Sequence, residues 1–120
     1  MTAGSRVLAG KEQVEQIKVA EWLRQCTDLP FMHIGNERRC SPQQGALLKR
    51  MGIRAGVSDI FLPRGNGQFK GLWLELKTET GRPSPAQRTF LDDMRNEGYE
   101  GVFAYGANDA IALIREFYSI

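Results

Sequence analysis

The sequence predicts an α/β fold in which a mixed β-sheet is flanked by helices. Segments with helical apolar spacing alternate with short apolar runs typical of strands, in the order α-β-α-β-β-α-β-α. Two serine–proline pairs, Ser41-Pro42 and Ser84-Pro85, each supply a helix N-cap followed by a proline at the first helical position. A length of 120 residues suffices for one domain with a hydrophobic core.

Each predicted element has its own sequence signals. The helices begin near residues 11, 42, 85 and 108, and the strands cover about residues 31–34, 57–62, 72–77 and 101–105. Gly52 and Gly98 end the second and third helices, and the turn-rich residues 64–67 join the second and third strands. Residues 1–10 are predicted to form a flexible N-terminus, and residues 11–120 a single domain.

Apolar side chains at helical spacing predict the faces that contact the core. These stripes are Leu47, Leu48 and Met51 in the second helix, Phe90, Leu91 and Met94 in the third, and Ile111, Ile114, Phe117 and Tyr118 in the last. In the third strand, Leu72, Leu74 and Leu76 share one face, which is predicted to pack on helices.

The overall composition narrows the classes of function. No stretch reaches about 18 apolar residues and the N-terminus lacks an apolar signal core, so we expect a soluble, cytoplasmic protein of a bacterial or infected host cell. Cys26 and Cys40 form neither a disulfide framework nor a Cys-x-x-Cys site, and are predicted to be buried free thiols. His33 is the one histidine; it cannot build a zinc site alone and is predicted to be a strand residue.

Positive charge is concentrated in one segment, although the net charge of the chain is only +2. Between residues 36 and 54 a single acid, Glu37, accompanies five basic residues: Arg38, Arg39, Lys49, Arg50 and Arg54. Such a local excess suits a polyanion, and it is equally typical of a solvated basic face.

Three charged residues interrupt strands that otherwise have a buried pattern: Asp59, Glu75 and Lys77. A hairpin centred on Gly67 pairs Asp59 with Glu75, and side-chain alternation then places all three charges on one face. Two like charges facing each other are destabilising, and a divalent cation reverses that interaction. The alternative is a cross-strand network in which Lys77 neutralises the two acids.

The first helix offers a third acid. Glu12 and Gln16 are four residues apart, and their face continues to Val19 and Leu23, so Glu12 begins a face that turns toward the core. Glu15 lies on another side of this helix and is predicted to be solvated. We therefore favour Glu12 as the functional acid.

Gln87 occupies an inward position on the third helix. It precedes Phe90, Leu91 and Met94 by 3, 4 and 7 residues, where a buried amide needs a hydrogen-bond partner. A water at the site, the region of the scissile phosphate and nearby backbone are all possible partners.

Together these residues resemble the VRR-NUC family of the PD-(D/E)xK nuclease superfamily. The resemblance extends from about Glu12 to Phe117 and rests on Glu12-x-x-x-Gln16, Gly56-Val57-Ser58-Asp59, Glu75-Leu76-Lys77, Ser84-Pro85-Ala86-Gln87 and Gly98-Tyr99. Ser58 stands where the superfamily name places a proline. The resemblance implies a restriction-endonuclease-like core.

The family resemblance also implies a role for each site residue. Asp59, Glu75 and the Leu76 backbone carbonyl would bind Mg²⁺ or Mn²⁺, and Lys77 would orient the attacking water or stabilise charge on phosphorus. Glu12 would hold a second ion or a metal-bound water, and Gln87 would support the site.

The implied activity is metal-dependent, structure-selective hydrolysis of DNA, at branched substrates such as four-way (Holliday) junctions. The basic segment would hold the DNA backbone, and the protein would act as a homodimer. Candidate interface residues are Trp22, Phe31, Met32 and Met51, which core packing explains equally well. The alternatives are a general or restriction-like nuclease of the same superfamily and a non-catalytic nucleic-acid-binding module.

Overall fold

A computed structural model of the chain describes residues 9–35 and 41–120. Its helices are α1 (Lys11–Cys26), α2 (Pro42–Arg50), α3 (Pro85–Asn96) and α4 (Ala107–Tyr118), and its strands are β1 (Met32–His33), β2 (Ile60–Leu62), β3 (Leu72–Lys77) and β4 (Glu100–Tyr105). The predicted order of elements is confirmed. The predictions for residues 1–8, Arg38, Arg39 and Cys40 lie outside the described residues.

The four strands form one mixed sheet in the order β1-β2-β3-β4. The β1–β2 and β2–β3 pairs are antiparallel, whereas β3 and β4 are parallel and are connected through α3. Phe61 pairs with Trp73, which is the register expected for a hairpin centred on Gly67. This register brings the strand ends that carry the acidic residues together.

The two faces of the sheet contact different helices. The leucine face of β3 packs with Ile60, Leu62 and Ala104 into the main core, together with buried residues of α1 and α4. The opposite face contacts α3 through Phe90 and Leu91, both of which are buried. The predicted inward packing of the leucine face is confirmed.

Strand β2 begins at residue 60, three residues later than predicted, and the segment before it approaches α3 at Gly56. Gly56 has a φ of 81°, and a Cβ at this position would lie 2.4 Å from the carbonyl carbon of Ala86. Only glycine allows this approach, since any side chain would overlap the α3 backbone. The close contact holds the segment leading to Asp59 against the first turn of α3.

Helix α2 begins as predicted, but its apolar stripe does not pack into the core. The Gln44 N–H donates to the Ser41 hydroxyl over 3.2 Å, and Pro42 occupies the first turn. No residue of this helix is buried, and Leu47 and Met51 are 53% and 70% exposed. The helix lies away from the core, which leaves its apolar stripe open.

Two further features concern the surface of the described residues. Cys26 is exposed, contrary to prediction, because it lies at the last position of α1 where the helix leaves the core. Among the described residues, no helix has the length and apolar character needed to cross a membrane.

Candidate active site

Asp59 and Glu75 face each other across the end of the β2–β3 ladder. The Asp59 N–H donates to Glu75 Oε2 over 3.0 Å, and the Leu76 N–H donates to Asp59 Oδ2 over 2.8 Å. Each carboxylate thus accepts a main-chain hydrogen bond from the opposite strand. These two side-chain bonds take the place of the backbone hydrogen bonds that would extend the β2–β3 ladder to Asp59, so β2 is short.

Both acids are removed from solvent. Asp59 is 7% exposed and Glu75 is 2% exposed. Burial, followed by the charge of Asp59, raises the pKa of Glu75 from 4.5 to about 8, and the Lys77 ammonium offsets only part of that rise. Two neighbouring acids in a buried site therefore favour sharing a proton or binding a cation.

Gln87 connects α3 to Glu75. Its side-chain carbonyl accepts the Ser84 N–H over 2.9 Å, and its backbone N–H donates to the Ser84 hydroxyl over 3.1 Å, which together form a capping box. Its Nε2 donates to Glu75 Oε1 over 2.6 Å. The predicted backbone partner is present at the amide oxygen, whereas the bond from the amide nitrogen to the Glu75 carboxylate was not predicted.

Lys77 lies on the same face as the two acids, with its side chain 15% exposed. Its Nζ lies 3.9 Å from Glu75 Oε1, close enough for ionic attraction but too far for a hydrogen bond. Its charge lowers the pKa of Glu75, but by less than burial and the charge of Asp59 raise it.

The inward face predicted for α1 is confirmed. Val19 and Leu23 are buried, and the Nε2 atom of Gln16 is buried without a hydrogen-bond partner among the described residues. Glu12 lies in the first turn and is half-buried. Within residues 9–35 and 41–120, no three His, Cys, Asp or Glu side chains are grouped to hold a metal. The candidate metal ligands are therefore the pair Asp59 and Glu75.

Glu15, predicted to be solvated, is partly exposed and also contacts α4. Its Oε1 accepts the Ala107 N–H over 3.2 Å at the first residue of α4, and its Oε2 lies 2.9 Å from Lys18 Nζ. The hydrogen bond from Lys18 and that from Ala107 lower the pKa of Glu15. The spacing on α1 placed Glu15 on a different side from Glu12, but it could not show that α4 begins beside it.

The structure separates the three described basic residues of this segment into two groups. Arg54 lies 2.5 Å from Asp93 Oδ2 and its guanidinium lies 5.2 Å from the centre of the Phe90 ring, which ties it to α3. Lys49 and Arg50 are exposed in the last turn of α2.

Sequence reasoning missed a contact of β1 with the site. The ring Nδ1 of His33 donates to the Asp59 carbonyl over 3.0 Å, and the Ile34 N–H donates to the same oxygen over 2.7 Å. These bonds fix the backbone of the acidic residue from the edge of the sheet. A lone histidine carries no spacing signal, so its sequence position could not indicate this partner.

Comparisons with known proteins identify the family to which this fold belongs. The VRR-NUC domain family matches residues 9–108, and the chain therefore belongs to this family, whose domain is of nuclease type. A solved structure described as a VRR_NUC domain protein is similar, with 28% identity and a TM-score of 0.76, covering 94% of this chain and 92% of the other. Comparison with curated proteins gave no match.

Proposed function

We propose that this protein is a metal-dependent, structure-selective DNA endonuclease that hydrolyses phosphodiester bonds. The main support is the buried pair Asp59 and Glu75, held in place by two main-chain N–H groups and the Gln87 amide. Two neighbouring buried carboxylates are electrostatically unfavourable for folding, so their presence indicates a functional role. Membership of a nuclease-type family supports the same activity.

The donor chemistry of the pair fits a hard divalent cation. Asp59 and Glu75 supply carboxylate oxygens, and the Leu76 backbone carbonyl is the proposed third ligand, a set that favours Mg²⁺ or Mn²⁺. Burial and the charge of Asp59 raise the pKa of Glu75, and a divalent cation bound between the two acids would counteract both effects. Glu12 is proposed to hold a second ion or to act through a water molecule.

Each protein group then has a distinct task. A bound ion would polarise the phosphoryl oxygen, lower the pKa of a water and stabilise the leaving oxygen. Lys77 would orient the attacking water or stabilise charge on phosphorus from the same face as the acids. Gln87 would keep the Glu75 carboxylate oriented, since its amide already contacts Oε1.

Branched DNA, such as a four-way junction, is the proposed substrate. Lys49 and Arg50 on the open side of α2 would contact phosphates, together with Arg38, Arg39 and Arg54. Contacts of this kind position the backbone without reading sequence, which supports selection by DNA structure.

A homodimer is proposed to present two sites to two DNA strands. Met32 and Met51 are exposed and suit an interface, whereas Trp22 and Phe31 pack against the main core. The apolar stripe of α2 is the surface that a second copy would cover.

The proposed activity is tested with purified protein on three DNAs: a four-way junction, a flap and a plain duplex. We expect cleavage with Mg²⁺ or Mn²⁺, none with EDTA, and the highest rate on the branched substrates. Equal cleavage rates on all three DNAs would contradict junction selectivity and indicate a general nuclease. Binding without cleavage under every metal condition would indicate a non-catalytic module.

A further inference from the structure

Tyr105 stands beside the lysine of the acidic site. It is the last residue of β4 and pairs directly with Lys77 in the parallel β3–β4 register. Residues paired in this way point to the same face of the sheet, so the tyrosine shares the face of Asp59 and Glu75. It ends the edge strand β4 and is 45% exposed, so much of the residue is accessible to a ligand.

At the end of the sheet, where α1 and α4 begin, Tyr105 also borders a cleft of about 660 Å³, within the size range of small-ligand sites. Val14 adds apolar surface, and Lys11, Thr78, Thr80 and Asn108 add hydrogen-bonding groups. The cleft therefore combines an aromatic surface with polar groups of several kinds.

The charges around this cleft suit a neutral planar group better than a phosphate. Its lining includes two acids, Glu15 and Glu79, and one basic residue, Lys11, so an anion would meet more acidic than basic groups there. A nucleobase is neutral, has a face that stacks on an aromatic ring, and has edges that bond to hydroxyl and amide groups. The phosphate site would remain at the acids and Lys77.

The backbone on both sides of Tyr105 is fixed. Its N–H donates to Asp109 Oδ2 over 2.8 Å, and the next N–H, from Gly106, donates to the Lys77 carbonyl over 2.9 Å. The point from which the side chain extends is therefore fixed before a base stacks on the ring.

We propose that Tyr105 is a stacking surface for a nucleobase of the substrate strand, next to the phosphate that is cut. Paired residues on neighbouring strands lie about 5 Å apart, so DNA with a phosphate at Lys77 would bring a flanking base within reach of the ring. This inference rests on the proposed nuclease function. An accessible base is required, which favours unpaired or distorted DNA near a branch point over intact duplex.

The test uses single-stranded oligonucleotides that each carry one 2-aminopurine, in EDTA buffer, where cleavage does not interfere. Stacking on the ring should quench the fluorescence with the native protein and with Tyr105→Phe. With Tyr105→Leu we expect loss of the quenching and roughly ten-fold weaker binding. Ile120→Ala, an exposed apolar residue at the opposite end of the sheet, should behave like the native protein.

Unchanged quenching with Tyr105→Leu, or no binding by the native protein, would overturn the stacking role. Melting temperatures of all variants would show that a loss of quenching does not reflect unfolding. Cleavage with Mn²⁺ is measured separately, so failure of the nuclease proposal and failure of the stacking proposal give different results.

Discussion

At the scale of single residues, the chemistry of the site is set by the burial of Glu75 beside Asp59. Each carboxylate accepts a main-chain N–H from the opposite strand, which partly compensates for lost solvation. The compensation is incomplete, since the pKa of Glu75 is still raised to about 8. The same environment that disfavours two negative charges prepares the pair for a divalent cation.

The raised pKa of Glu75 predicts how stability depends on pH in the absence of metal. Its folded pKa of about 8 exceeds the ordinary value of 4.5, so the folded state binds more protons between these values. The contribution of Glu75 to stability is therefore present below about pH 4.5 and is lost as the pH rises toward 8. Urea unfolding in EDTA across this range should show that decrease, and Glu75→Gln should flatten it. If the native protein became more stable as the pH rises through this range, and Glu75→Gln removed that increase, the result would contradict the argument.

Gln87 and Gln44 provide a matched pair of residues with one difference. Both close a capping box at the third position of a helix, but only Gln87 also donates to Glu75. Gln87→Met should lower cleavage by about ten-fold or more, in line with the loss of a group that orients a metal ligand. Gln44→Met should leave cleavage unchanged. Equal effects of the two substitutions on cleavage rates would show that Gln87 acts only as a cap.

At the scale of elements, the packing of residues 56–59 on α3 positions the acidic pair. The capping box at Ser84 fixes the first turn of α3, and Gly56 lets the chain approach that turn. Helix α3 then contacts Glu75 through Gln87. The site depends on this helix start as much as on the strands that carry the acids.

Gly56→Ala should be strongly destabilising. The new Cβ would lie 2.4 Å from main-chain atoms of Ala86, and the φ of 81° disfavours alanine independently. Gly67→Ala is the control, because that glycine has a φ of 92° but open space around it. We expect about 1 kcal/mol for the control, from the positive φ alone, and roughly 3 kcal/mol or more for Gly56→Ala. Similar unfolding free energies for the two variants would show that the close approach is unimportant.

Local sequence signals predicted most elements because each depends on residues close in the chain. Both serine–proline caps and the hairpin register followed from spacing alone. The short β2 and the role of Glu15 could not be predicted in this way, since Gly56 meets α3 and Glu15 meets α4. Contacts between distant elements decided these outcomes.

At the scale of the whole molecule, contacts within the described part of one chain do not explain the stability of α2. It is amphipathic and well capped, but none of its residues is buried. A nine-residue helix is marginal in water without packing, so a covering surface would stabilise it. The proposed homodimer supplies that surface.

Met51→Asp should shift the protein toward the monomer if α2 forms the dimer interface. The side chain is 70% exposed, so a carboxylate there is compatible with the folded monomer but not with an apolar interface. Sedimentation velocity would measure the change, with Ile120→Asp as the control on another exposed apolar residue. A native protein that is monomeric at all concentrations would contradict the proposed dimer.

The most direct test of the proposed active site compares cleavage of a four-way junction by the native protein, Asp59→Asn and Lys77→Ala with Mn²⁺. The asparagine oxygen can still accept the Leu76 N–H, so the fold should persist, as circular dichroism would verify. Asp28→Asn, at an exposed acid, is the control. The proposal predicts a loss of roughly 100-fold or more in both site variants, corresponding to the electrostatic stabilisation that a metal site supplies. Full activity in either of them would contradict the assignment of this site.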